Sequence, residues 1–318
     1  MRRALALAVA AALAAAGAST AAAPTLTFSS FAHTDLPLGQ VVWTGTSFLY
    51  LPENLAQIEA ADGSGANAHP FVTVPGGLGG EEIRCAVPVI AYWPDGVYCH
   101  TPDNRILRIA RDGSSIAQLA QLPGGPSDGG LVFDSTGKFG YALLASTGGS
   151  GSSGGDVYAV RRDGRVQHIG SYPGPGGADG LAMAPQKFGR ASGLLLLSID
   201  QDSVSGRVLA IDRTGNVQAV AGGLGNGDNP IVAIPPAPRT RPAGAPAAGL
   251  YVPNTNTMDV YFAPAAQLAP YVGEVLVGTE LGGSFWLVRP TATGFVAEPV
   301  AVQLPTGNLN LEGAAYVP

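Results

Sequence analysis

Residues 173–185, PGPGGADGLAMAP, decide the fold. A Gly/Pro loop delivers an acidic residue, Asp179, and a short apolar strand follows at once. The same phrase returns in other words along the chain. PGGPSDGGLVFD sets Asp128 before Leu131 and Val132, GLGNGDNPIVAIP sets Asn229 before Ile231, and GNLNLEGAAYVP sets Glu312 before the final apolar run. Looser copies are LPLGQVVWTG with Gln40 and PGGLGGEEIRCAV with Glu81 and Glu82. Six copies of one loop–polar–strand phrase are the mark of a repeat protein.

Working outward, each copy is followed by further strand-like runs. Second runs are FLYLPEN (48–54), GVYCHTPDN (96–104), GYALLAS (140–146), GLLLLSID (193–200) and GLYVPNTN (249–256). Third runs end in turns, as in LAQIEAADG, RILRIARDG, DVYAVRRDG, RVLAIDRTG and SFWLVRPTATG, and fourth runs include HPFVTVP and RVQHIGSYP. The Asp-Gly dipeptides at 62, 112 and 163 are tight-hairpin signals, since the turn needs positive φ. Four antiparallel strands per unit, recurring every 41 to 51 residues, predict a six-bladed β-propeller of four-stranded blades, an all-β fold. The strand at 25–31 is expected to pair into the final blade and so remove free edges. A Pro/Ala-rich insertion at 234–249 reads as an irregular loop, and AAQLAPYV (265–272) as at most one helical turn. The Gly/Ser run at 146–156 reads as a flexible connection; its chance matches to nucleotide and nucleophile motifs join two strands, where those motifs need a strand-to-helix turn.

The first 23 residues stand apart. Arg2 and Arg3, an apolar stretch at 4–17 and small residues at 18–22 read as a secretory signal peptide, leaving 24–318 as one propeller domain. The expected location is extracytoplasmic, secreted or periplasmic, with no membrane attachment after cleavage. In that setting Cys85 and Cys99, on neighbouring predicted strands, are most simply a disulfide. The rival, a soft-metal pair, has a spacing unlike zinc motifs. The formal charge of −6, with no basic run, excludes nucleic acid as a partner. A monomer is expected.

Chemistry is expected where the repeated polar residues meet. In an up-and-down blade the loop before the first strand and the loop after the second emerge on the same face. Gln40, Glu82 (or Glu81), Asp128, Asp179, Asn229 and Glu312 then ring one opening, with Glu53, Asn54, His100, Asp103 and Asn104 among the residues outside them. Such hard oxygen donors suit Ca²⁺, and like charges around one channel repel unless a cation or protons neutralise them. The blander role of each acid is to bond its own turn. His100, ending a second strand beside Asp103, is the candidate general base; His33, His69 and His168 read as surface or strand residues, and Trp43, Trp93 and Trp286 as packing between blades.

The phrase V-Y-x-x-x-x-D-G-x-V followed by P-G-G-x-D-G-L-A, carried by DVYAVRRDGRV (156–166) with PGGADGLAMAP and by RILRIARDG with PGGPSDGGLVFD, resembles six-bladed propellers related to gluconolactonases, strictosidine synthases and NHL repeats. The resemblance covers about residues 30–318. It implies a metal at the axis on a Glu, an Asn and an Asp from different blades, places that Glu82 or Glu312, Asn229, and Asp179 or Asp128 fill by position. The E-G-P-x-W opening of that group is absent from the first blade, where Trp43 follows Gln40. Two functions follow. One is a binding propeller holding a small-molecule, carbohydrate or protein ligand at the acidic axial face. The other is a Ca²⁺-dependent lactone or ester hydrolase, in which the metal activates water and His100 or a rim carboxylate takes the proton.

Overall fold

The computed structural model describes residues 24–76, 82–125, 127, 129–148, 154–199, 206–225, 231–236, 244–280, 283–305 and 310–318. Two short strands lead, β1 (Thr25–Thr27) and β2 (Ser29–His33). Four blades then follow in chain order. They are β3 (Leu38–Trp43), β4 (Phe48–Pro52), β5 (Gln57–Ala61) and β6 (His69–Thr73); β7 (Arg84–Ala86), β8 (Val97–His100), β9 (Arg105–Ile109) and β10 (Ile116–Gln121); β11 (Leu131–Phe133), β12 (Leu143–Gly148), β13 (Gly155–Val160) and β14 (Val166–Tyr172); and β15 (Gly180–Met183), β16 (Leu195–Ile199), β17 (Arg207–Ile211) and β18 (Val217–Gly222). Each is an antiparallel sheet in sequence order, first strand innermost.

The last two blades do not follow that rule. After β19 (Ile231–Ala233) the chain leaves blade five and forms β20 (Gly249–Asn254) and β21 (Asp259–Pro264), the middle of blade six. It returns through α1 (Ala265–Leu268) to lay β22 (Val275–Gly278), β23 (Phe285–Pro290) and β24 (Phe295–Gln303) onto β19. The final strand, β25 (Ala315–Val317), then pairs with β20 as the inner strand of blade six. The second run GLYVPNTN and the third run SFWLVRP therefore belong to different blades. The N-terminal strands are shared out too: β2 pairs antiparallel with β21 on the outside of blade six, and β1 lies parallel to β24 as a fifth strand of blade five. Closure of the ring thus needs both ends of the chain.

Six buried clusters, one at each junction between neighbouring blades, close the circle. Leu49 and Cys99 meet between blades one and two, Trp93 and Phe133 between two and three, and Leu144 and Leu197 between three and four. Leu196 and Val277 meet between four and five, Val252 and Leu287 between five and six, and Phe48 and Tyr251 between six and one. Second strands alternate between two such clusters, so Leu144 serves one junction while Leu143 and Ala145 serve the other. That is why these strands read as continuous apolar runs rather than alternating ones, and why every residue of β4 and β16 is buried. Trp93 packs edge-on against Tyr98 and Phe133 across its junction.

Cys85 and Cys99 face each other in the β7–β8 ladder and form a disulfide, their Cα atoms 4.1 Å apart. The hairpin acids behave as turn devices. Asp62, Asp112, Asp163 and Asp212 each accept the backbone N–H two residues on. The insertion is described at its two ends only, and the Gly/Ser stretch is entered from both sides by β12 and β13. Among the described residues no helix is long and apolar enough to cross a membrane.

Candidate functional site

Inner strands of all six blades meet at the axis. A small pocket of about 60 Å³ there is lined by Gln40, Arg84, Leu131, Asp179, Ile231 and Glu312, among others. Of the residues expected at this opening, Gln40, Asp179 and Glu312 line it, and Glu82 lies alongside, paired with Arg84. Asp128, Asn229 and Glu81 lie outside the described residues.

The acids do converge, with a different membership. Glu82, just before β7, Glu312, just before β25, and Glu53, just after β4, bring carboxylate oxygens within 4.8 Å of one another. They come from blades two, six and one, so the group sits across the seam where the ring closes. Following a second strand, Glu53 is expected in the outer circle. The pairing Leu38↔Pro52 shows why that was too far out: the second strand ends level with the inner one, and Glu53 turns in beside it.

Sequence reasoning missed Arg84. It opens β7, is 7% exposed, and reaches the axis between the acids. Its guanidinium lies 2.6 Å from a Glu82 oxygen and 3.3 Å from a Glu312 oxygen, and it also donates to the Gly39 carbonyl. The expected like-charge repulsion is therefore relieved in part by the chain's own cation. A basic residue in the EEIRCAV stretch was the available signal; it went unread because no other blade repeats it.

Close approach explains the glycines of the repeated phrase. A β-carbon on Gly39 would lie 2.5 Å from a Glu82 carboxylate oxygen, and one on Gly313 would lie 2.5 Å from the Gln40 side chain. Several polar side chains at this end latch neighbouring blades. The Gln40 amide accepts from the Cys85 N–H at 2.7 Å and donates to the Cys85 carbonyl at 3.2 Å. Ser146 donates to the Ala178 carbonyl and accepts from the Gly130 N–H at 2.8 Å. Burial, and then the charge of Asp179, push the Tyr172 phenol well above its ordinary range, and its hydroxyl accepts from the Ala178 N–H.

His100 is part of this latching. It is 1% exposed; Nδ1 lies 3.1 Å from the Gly129 carbonyl of the next blade and Nε2 lies 3.1 Å from Asn104 Oδ1. Both ring nitrogens are engaged, and a general base needs one lone pair facing substrate. Asp103 is committed as well: burial pushes its carboxyl up, but the Arg105 guanidinium at 2.7 Å and the Thr101 hydroxyl outweigh this and hold it below the usual range. The other histidines bond surface partners, His33 to Asp259 and His168 to Asp156, both at 2.9 Å.

No protein-family model matches the chain, and no curated protein matches it in sequence. Among solved structures it is similar to Sqt1 of Saccharomyces cerevisiae, at 14% identity and a TM-score of 0.43 over 93% of this chain; it spans 65% of the length of that one. It is also similar to BBS1N, solved in complex with ARL6DN, at 10% identity and a TM-score of 0.43, covering 82% of this chain and 76% of the other.

Proposed function

We propose that this is an exported binding propeller whose axial face holds a divalent cation of the Ca²⁺ class and presents it, with the acidic rim, to a partner. The observation that supports the reading is the convergence of Glu53, Glu82 and Glu312. Their carboxylate oxygens lie within 4.8 Å of one another, close enough to be drawn onto one ion with Ca²⁺–oxygen bonds of about 2.3–2.6 Å. Three carboxylates against one guanidinium leave a net negative charge for such an ion to neutralise. Of the three acids, Glu312 also lines the axial pocket of about 60 Å³. The disulfide suits an oxidising compartment.

Hydrolysis of a lactone or ester is not favoured. The pocket is too small to seat an organic substrate beside the acids, and His100 and Asp103 are spent on neighbouring groups. A ligand of the axial face would rest on the rim above the ion.

Thermal unfolding in EDTA and then in excess Ca²⁺ tests the reading. A site present only in the native state adds about 2.7 kcal/mol at a hundredfold excess over Kd. The melting midpoint should rise with Ca²⁺, and the rise should disappear in Glu312→Gln. An unchanged midpoint in millimolar Ca²⁺ would return the three acids to ring closure alone.

A further inference from the structure

The largest cavity described lies on the other face of the ring. It measures about 850 Å³, within the range of about 300–1,000 Å³ typical of small-molecule sites, and dwarfs the axial pocket. Loops that follow the inner strands of blades three, four and five build it. Met183, Ile234, Pro235 and Val272 make its wall largely apolar, and Val272 stands 43% exposed at its edge.

The wall is rigid. Ser135 and Thr136 belong to a loop wound around the fully buried Asp134. That carboxylate accepts the N–H groups of Thr136, Gly137, Phe139 and Tyr141 at 2.7–3.0 Å. Prolines 185, 235, 236 and 290 fix other parts. A preformed apolar wall loses little on binding.

Charge on this wall is uneven. Arg289 in β23 is drawn to Glu298 at 2.5 Å and lies 3.6 Å from Glu274, which leaves a buried Glu274 carboxylate oxygen without a hydrogen-bond partner on the cavity wall. Glu274 holds the looser share, since 3.6 Å is beyond a good hydrogen bond. It lines the cavity, with its side chain 22% exposed, and burial pushes its carboxyl up, against the pull of Arg289. Lys187 is exposed at the mouth.

We propose that this cavity binds a small organic amine, its apolar body against Met183, Ile234 and Val272 and its ammonium paired with Glu274. The site is separate from the axial acids and independent of any cation there.

Three probes of matched size and different charge test it by calorimetric titration: 1-naphthylmethylamine, 1-naphthylacetate and 1-naphthylmethanol. The amine should bind about tenfold or more tightly than either of the others. Glu274→Gln should remove that preference, and Val272→Trp, which fills the mouth from an exposed position, should weaken all three while circular dichroism melts show the fold kept. Equal or tighter binding of the anion or the alcohol would overturn the proposal. So would an amine preference that survives Glu274→Gln, or no binding heat from any probe at millimolar concentration.

Discussion

One side chain, Arg84, sets the electrostatics of the axis. Without it, Glu82 and Glu312 would face each other and Glu53 across a narrow, half-dry opening. Arg84→Gln keeps some donors but removes the charge, which leaves buried carboxylates uncompensated. Removing one partner of such a pair costs about 3–5 kcal/mol, and urea unfolding in EDTA should show a loss of that size. In excess Ca²⁺ the loss should shrink, because the ion takes over the neutralisation. A loss of the same size in both media would separate Arg84 from any cation site. Isosteric loss at Glu82 alone should cost less, since Arg84 retains Glu312.

Hairpins carry their own acid-dependent stability. In the β17–β18 turn the Thr214 hydroxyl, joined by the Asn216 amide and two backbone N–H groups, holds the Asp212 carboxyl down to about 2 against the opposing effect of burial. A carboxyl lowered in the folded state adds stability that is complete above its unfolded value of 3.8 and is lost as pH falls toward 2. Asp212→Ala should therefore cost about 1 kcal/mol near neutral pH, after allowance for its exposed position. The gap between variant and parent in urea midpoint should close as pH falls from about 4 to about 2. These turns were plain in the sequence because Asp-Gly and its variants act locally. The strands were plain too, since alternate residues of one run serve two blade junctions and the run is apolar throughout. Strand partners were not. GLYVPNTN and SFWLVRP have the composition of any second and third strand, and nothing in either names the blade it joins. At the site, Asp179 and Glu312 were legible because their loop phrase repeats, whereas Glu53 and Arg84 depend on which blades become neighbours at the seam.

Around the whole ring, every junction has its own buried cluster, so opening one junction exposes apolar surface on two blades. Junction six-to-one differs from the others in that its inner strand, β25, follows the rest of its blade in sequence instead of leading it. Val317, 1% exposed, is its contribution to the core. Deleting residues 312–318 should uncover the edge of β20 and the acids' seam together, lowering the urea midpoint and making the protein self-associate on size exclusion. A truncated chain with the parent's midpoint and elution volume would show that blade six holds without its inner strand. The exchange of strands between blades five and six also imposes a schedule on synthesis. A nascent chain can assemble its first four blades in the order they emerge, but β1 and β2 are made first and have no sheet to join until β21 and β24 have followed. β1 and β2 therefore meet their native partners only after β24 and β21 have been made. Blade six is completed last, when β25 pairs with β20.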